Sequence, residues 1–232
     1  MTDVDRAEAL SRVLENLDRD LPQIRAAGVR ALHRLLPIAE GQDAQSDVVR
    51  ALLLGCYNGR DFPFQLSLIR WLDREVLDDC LALLHMDSAP EIEVHQHLVN
   101  GSEVFNRLAR RWNQPGSVKQ EPTRRDDVTS ELHRTIGIKS LKRLLQVANG
   151  LSGQCRYVAG FLAGCYDGAQ YPFDLTDFRC VDHDLFLDCL AVIRLLYETR
   201  DGIQANVPSG DEVFGRLIAK WSIQAYNADF GI

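Results

Sequence analysis

The sequence predicts an all-α protein made of two tandem homologous helical domains, about four helices each, with an extra helix at the N-terminus. Three observations predict it. Shifting the 232-residue chain by 109 positions lays Gly28–Trp112 on Gly137–Trp221 without a gap, and about 30 of those 85 positions are identical. Apolar residues recur at helical spacing in both copies. Neither copy contains a convincing run of strand-like alternation. Solenoid repeats have periods of about 20–50 residues, so the duplicated object is a small domain.

The elements follow in order. Residues 4–20 read as the extra amphipathic helix, with Val4, Leu10, Val13, Leu14 and Leu17. Each copy opens with "GVRALHRLLPIA" or "GIKSLKRLLQVA", apolar at 29, 32, 35, 36 and at 138, 141, 144, 145. Gly41 and Gly150 end these helices, as glycines past a helix C-terminus do. A second helix covers 43–57 and 152–166. It runs into "GCYNGRDFPFQL" from Gly55 and "GCYDGAQYPFDL" from Gly164. Pro63 and Pro172 exclude a regular helix there, and Phe62/Phe64 with Tyr171/Phe173 are expected to plug the seam between helices.

Asp73 and Asp182 suit the N-cap of a third helix. It carries Val76, Leu77, Cys80, Leu81 and Leu84, matched by Leu185, Phe186, Cys189, Leu190 and Ile193. The closing helices "EVFNRLARRW" and "EVFGRLIAKW" place Glu103–Arg107 and Glu212–Arg216 at ion-pair spacing. The reading gives an N-terminal domain at 1–112 (unit 28–112), a linker at 113–127, "NQPGSVKQEPTRRDD", and a C-terminal domain at 128–232 (unit 137–221). Each unit is expected to bury its own core; whether the two pack together is left open. Segments 87–100 and 196–209 lose similarity at equal length, which marks where the copies diverge in surface or purpose.

Hydrophobic residues make up 46% and charged residues 25% of the chain. No apolar run approaches the roughly 20 residues that span a bilayer, so no membrane contact is expected. The start, "MTDVDRAEALSRVLENLDRD", is unlike a secretory signal, and the expected location is cytoplasmic. A net charge of −7 argues against nonspecific grip on nucleic acid, which needs a basic surface. Residues 1–112 hold no lysine and 13 arginines against 18 acids. Cys56, Cys80, Cys155, Cys165, Cys180 and Cys189 include no C-x-x-C pair, so they read as core and not as a zinc or disulfide framework. No cofactor is expected.

Catalytic patterns are missing as well. There is no phosphate loop, G-x-S-x-G elbow or H-E-x-x-H helix. His95 and His97 stand two apart, a spacing that points them apart on a helix. The acids are more suggestive. Asp167 to Asp188 holds six aspartates with Arg179 alone to offset them, and Asp73 to Glu93 holds seven acids against Arg74. Glu75/Asp79 and Asp184/Asp188 stand four apart on one helix, where like charges repel. Helix dipoles account well for acids in a first turn, 73–75 and 182–184, and less well for 79 and 188. An acidic face that docks on a basic protein surface is the functional reading, with Asp174, Asp177, Asp184, Asp188, Glu75 and Asp79 as contacts. Trp71, whose counterpart is Cys180, joins them; Trp112 and Trp221 read as packing. Arg124 and Arg125, near Lys119, read as a solvated linker.

The string from Leu141, "LKRLLQVANGLSGQCRYVAGFLAGCYDGAQYPFDLTDFRCVDHDLFLDCLAVIRLL", with the later "DEVFGRLIAKW", resembles a family of small all-helical domains of unassigned function found on integrative conjugative elements and plasmids of proteobacteria. Residues 137–221 match it throughout; residues 28–112 depart at "FQLSLIRWLD", where two acids are lost. The resemblance brings no catalytic residues. The chain is also similar in kind to anti-CRISPR proteins. That likeness implies a non-enzymatic inhibitor from a mobile element, binding a bacterial CRISPR effector complex, type I in the first instance. A protein or ribonucleoprotein with a basic surface is thus the expected partner. An accessory protein of plasmid or conjugative-element maintenance, and an enzyme without a recognisable motif, are the alternatives.

Overall fold

The same helix breakers recur 109 positions apart, and they produce the same order of elements twice. The computed structural model describes residues 3–112, 131–199 and 201–226, with side chains from residue 20 onward. The first copy comprises α1 (Asp3–Ala39), α2 (Ala44–Asn58), a 3-10 turn (Leu66–Trp71), α3 (Arg74–Asp87), a second 3-10 turn (Val94–His97) and α4 (Gly101–Ala109). The second repeats them as α5 (Glu131–Ala148), α6 (Gly153–Tyr166), a turn (Leu175–Cys180), α7 (His183–Glu198), a turn (Ile203–Asn206) and α8 (Gly210–Trp221). Among the described residues no strand forms, and one isolated antiparallel bridge joins Phe64 to Phe173.

Helix ends are satisfied by equivalent residues in both copies. The Asp73 and Asp182 backbone N–H groups donate to the side-chain oxygens of Gln45 (2.7 Å) and Gln154 (3.1 Å). Arg111 donates to the Glu40 and Gly41 carbonyls, and Lys220 to those of Asn149 and Gly150, just past the first helix of each copy. Without such donors these carbonyls would be orphaned. One site is solved in two ways: Arg50 Nε covers the Ala39 carbonyl at 3.0 Å, whereas Trp221 Nε1 covers Ala148 at 2.8 Å.

Two sequence expectations change here. The helix of residues 4–20 is not separate: α1 runs unbroken to Ala39 through Pro22 and Pro37. Each proline removes one N–H donor, yet the helix stays in register across both. The side chains Val4, Leu10, Val13, Leu14 and Leu17 lie outside the described residues, as do the linker 113–127 and Lys119, Arg124 and Arg125. Arg107 reaches Glu40 at 2.6 Å, across the fold from its helical neighbour Glu103, while Arg216 and Glu212 pair at 3.7 Å.

The repeated Gly-Pro-aromatic phrase joins the copies. Phe64 and Phe173 exchange both backbone hydrogen bonds, at 2.8 and 2.9 Å. Leu175 of the second copy seats against Gly55 of the first, where a Cβ would stand 2.8 Å from its Cδ1; Leu66 seats against Gly164, with a Cβ at 3.1 Å. Arg70 donates to the Leu196 carbonyl, and its equivalent Arg179 donates to Asp87, the residue equivalent to Leu196. Such reciprocity is the signature of a two-fold relation between the copies. The backbone of Phe64 and Phe173 thus lies at the seam between copies. The Phe62 ring packs on Trp112 at 5.1 Å and the Phe173 ring on Phe161 and Phe178, each inside its own copy. In place of two separate interiors, one continuous apolar cluster includes Leu52, Phe64, Leu66 and Leu77 with Phe161, Phe173, Leu175 and Phe186.

Candidate functional site

The acids singled out from the sequence part into three groups. Asp79 and Asp188 are equivalent residues held by equivalent arginines. Arg34 Nε donates to Asp79 at 2.8 Å, and Arg143 meets Asp188 at 2.9 Å. Ser140 adds a hydrogen bond to Asp188 at 2.6 Å. Asp79 is 18% exposed and Asp188 14%, so both carboxylates tie helices of their own copy together.

Asp174 caps its 3-10 turn, accepting from the Thr176 N–H at 2.9 Å, and leans over Gly59 of the other copy. Asp177 is half-buried; burial, reinforced by the charge of Asp174 and opposed by Arg156, raises its pKa to about 6. Glu75 and Asp184, again equivalent, are exposed. Trp71 is partly buried against the core. The seven residues thus stand in different environments and are not uniformly exposed.

What sequence reasoning missed is a groove of about 310 Å³ across the seam between copies. Its walls are Leu81, Ala82 and His85 from α3, His133 and Ile136 from α5, and Leu190, Ala191 and Arg194 from α7. The helices α3 and α7 run antiparallel: Arg194 meets Asp78 at 2.6 Å, and the His85 ring lies 5.5 Å from that of His183. Among the lining residues Ile136 is 45% exposed, and one helical turn before lining residues stand the exposed Leu132 on α5 at 66% and Leu187 on α7 at 41%. The signal was available in "ELHRTIG", where Leu132 and Ile136 share a helical face outside the repeat's own core pattern.

Burial, then the nearby His183, lowers the pKa of His85 and leaves it a neutral imidazole near pH 7. The Glu198 side chain, 3% exposed, lies 3.5 Å from His133 Nδ1. That pair can orient an imidazole, but no serine, threonine or cysteine stands among the lining residues to be activated by it. Burial pushes the Cys56, Cys80, Cys165 and Cys189 thiols far up, away from nucleophilic thiolate. Among the described residues no three His, Cys, Asp or Glu side chains gather as a metal-binding group. His95 packs edge-on to Tyr57 at 5.0 Å. No described helix is long and apolar enough to cross a membrane.

A family of unknown function, DUF7673, matches residues 29–113 and again 138–222. The chain belongs to that family. It carries the DUF7673 unit twice, and both matches agree with the 109-residue shift to the residue. Neither the curated proteins nor the solved structures compared with the chain contain a match. Each DUF7673 unit contains half of the clasp: Gly55, Phe64 and Leu66 in one, Gly164, Phe173 and Leu175 in the other. The groove belongs to neither unit alone, since α3 comes from the first and α7 from the second.

Proposed function

We propose that the protein is a non-enzymatic binder that acts by stoichiometric association with another protein, through the surface that α3, α5 and α7 form around the groove. The observation that carries this reading is the exposed Leu132, Ile136 and Leu187 beside an apolar cleft. Exposed apolar residues gathered at one place mark contact surfaces, whereas scattered ones do not. Glu75 and Asp184, at the starts of α3 and α7, give that surface an acidic margin suited to a basic partner. Asp79 and Asp188 contribute less, because Arg34 and Arg143 already neutralise them.

The resemblance to anti-CRISPR inhibitors supplies the partner class: a bacterial CRISPR effector complex, type I in the first instance, encountered by a protein carried on a mobile element. The decisive experiment pairs affinity capture from a proteobacterial lysate with an interference assay, for the wild type and two variants. Leu132→Asp/Ile136→Asp strikes the apolar patch, and Glu75→Lys/Asp184→Lys reverses the acidic margin. Both variants are expected to lose effector capture and inhibition together. Retention of both activities by both variants would remove this surface from the account. A plasmid-transfer defect with intact host defence would favour the maintenance reading. Turnover at substoichiometric protein would make it an enzyme.

A further inference from the structure

The polar contacts across the clasp are not divided evenly between the two copies. Arg179 of the second copy donates to Asp87 of the first at 2.9 Å and to Glu93 at 3.0 Å. Arg194, also of the second, donates to Asp78 at 2.6 Å. Moving 109 positions converts these donors to Arg70 and His85 in the first copy. The same shift converts the three acceptors to Leu196, Gly202 and Leu187 in the second. Arg70 accordingly meets the Leu196 carbonyl at 2.9 Å, and its Nη2 is buried without a hydrogen-bond partner. At these contacts the acids stand on the first copy and the arginines on the second.

We infer that the joint between copies is charge-coded for unlike pairing: the clasp face of the second copy takes the first copy and rejects another second copy. The two-fold geometry makes the comparison direct. Two second copies would set Arg179 against Leu196 and Gly202, and Arg194 against Leu187, with no carboxylate at those positions. Arg70 shows that a guanidinium can sit on the Leu196 carbonyl without a carboxylate, at the cost of a buried and unpaired Nη2. A pair of second copies would bear that cost twice and lose both carboxylates of Arg179, and specificity is that difference between the right and the wrong pairing. The divergence of segments 87–100 and 196–209 follows in part from this division of charge, since it removes Asp87 and Glu93 from the second copy. The clasp's backbone bridge and leucine seats, by contrast, are kept in both and do not discriminate.

The test starts from the folded full chain and then frees its halves to exchange partners. A protease site is inserted within 113–127, the protein is cut, two isotopically distinct preparations are mixed, and native mass spectrometry counts the species. Pairs of one first and one second copy are expected, with pairs of second copies at least about tenfold rarer. Loss of the Arg179 pairs weakens association by that order, while the more exposed Arg194–Asp78 pair adds less. A statistical 1:2:1 mixture, or halves that separate on cutting, would overturn the inference. Installing acids at the matching positions, Leu187→Asp with Leu196→Asp, is expected to raise second-copy pairs about tenfold. Leu196 is 1% exposed, so Leu187→Asp alone, at a residue 41% exposed, provides the variant that leaves the core untouched. An unchanged count in Leu187→Asp would likewise contradict the charge code.

Discussion

Single carboxylates in this molecule differ by what surrounds them. Asp87 is 5% exposed and shares the Arg179 guanidinium with Glu93. Burial outweighs the attraction of Arg179 and raises the Asp87 pKa from 3.8 to about 6. The folded protein therefore keeps this proton to higher pH than the unfolded chain does. Stability tied to it is present below about pH 4 and is lost as pH rises to about 6. His85 and His97, both lowered mainly by burial, act in the opposite sense just below their unfolded value. The contribution is thus read as the difference between wild type and Asp87→Asn. Across that window the variant is expected to gain on the wild type by on the order of 2 kcal/mol; denaturation at a series of pH values measures it, and parallel profiles would refute it. Asp188→Ala loses a serine hydrogen bond and an arginine, and is expected to cost about 1–2 kcal/mol. Asp184→Ala is expected to stay within about 0.5 kcal/mol, as thermal melts would show. Sequence spacing made these acids look alike. Their partners Arg34 and Arg143 lie 45 residues away, beyond the reach of any local pattern.

Helices were the legible scale. Gln45 and Gln154 confirm Asp73 and Asp182 as helix starts, although by a tertiary hydrogen bond and not by the aspartate side chain. Apolar periodicity placed the third helix of each copy correctly because its stripe packs chiefly on the first helix of its own copy. The unbroken α1 was not legible, since Pro22 and the polar residues around it resemble a boundary. Pro22 is exposed within a helix, so Pro22→Ala is expected to stabilise the protein by about 1–3 kcal/mol, a rise in melting temperature that a loop at this position would not give. Gly28 invites the opposite mistake. Alanine there gains about 1 kcal/mol of helix propensity, but its Cβ would stand 2.3 Å from Met86 Cβ. That atom is anchored to the backbone of α3 and cannot swing aside. Overpacking of this kind costs about 1–3 kcal/mol, so Gly28→Ala is expected to destabilise; a gain would show that α1 and α3 are farther apart than described.

At the scale of the whole molecule, a duplication was plain from the sequence but the reason for its best-kept phrase was not. Glycine, proline and paired aromatics read as a loop inside one unit, because a sequence gives no sign that a segment packs on a copy 109 residues away. In the fold, Gly55 and Gly164 open a seat for Leu175 and Leu66, and the two units close into one body with a shared core. The groove proposed as the contact surface depends on that closure. Leu175→Ala, truncating a side chain 1% exposed, is expected to cost about 2–5 kcal/mol and to lower the unfolding midpoints of both copies together. The central claim, that two equivalent units are clasped about Phe64 and Phe173, is tested most directly by amide hydrogen exchange at those two residues. Both N–H groups are expected to exchange as slowly as the helix interiors, through global unfolding alone. Exchange at the rate of an open loop would mean that the two copies are not joined there.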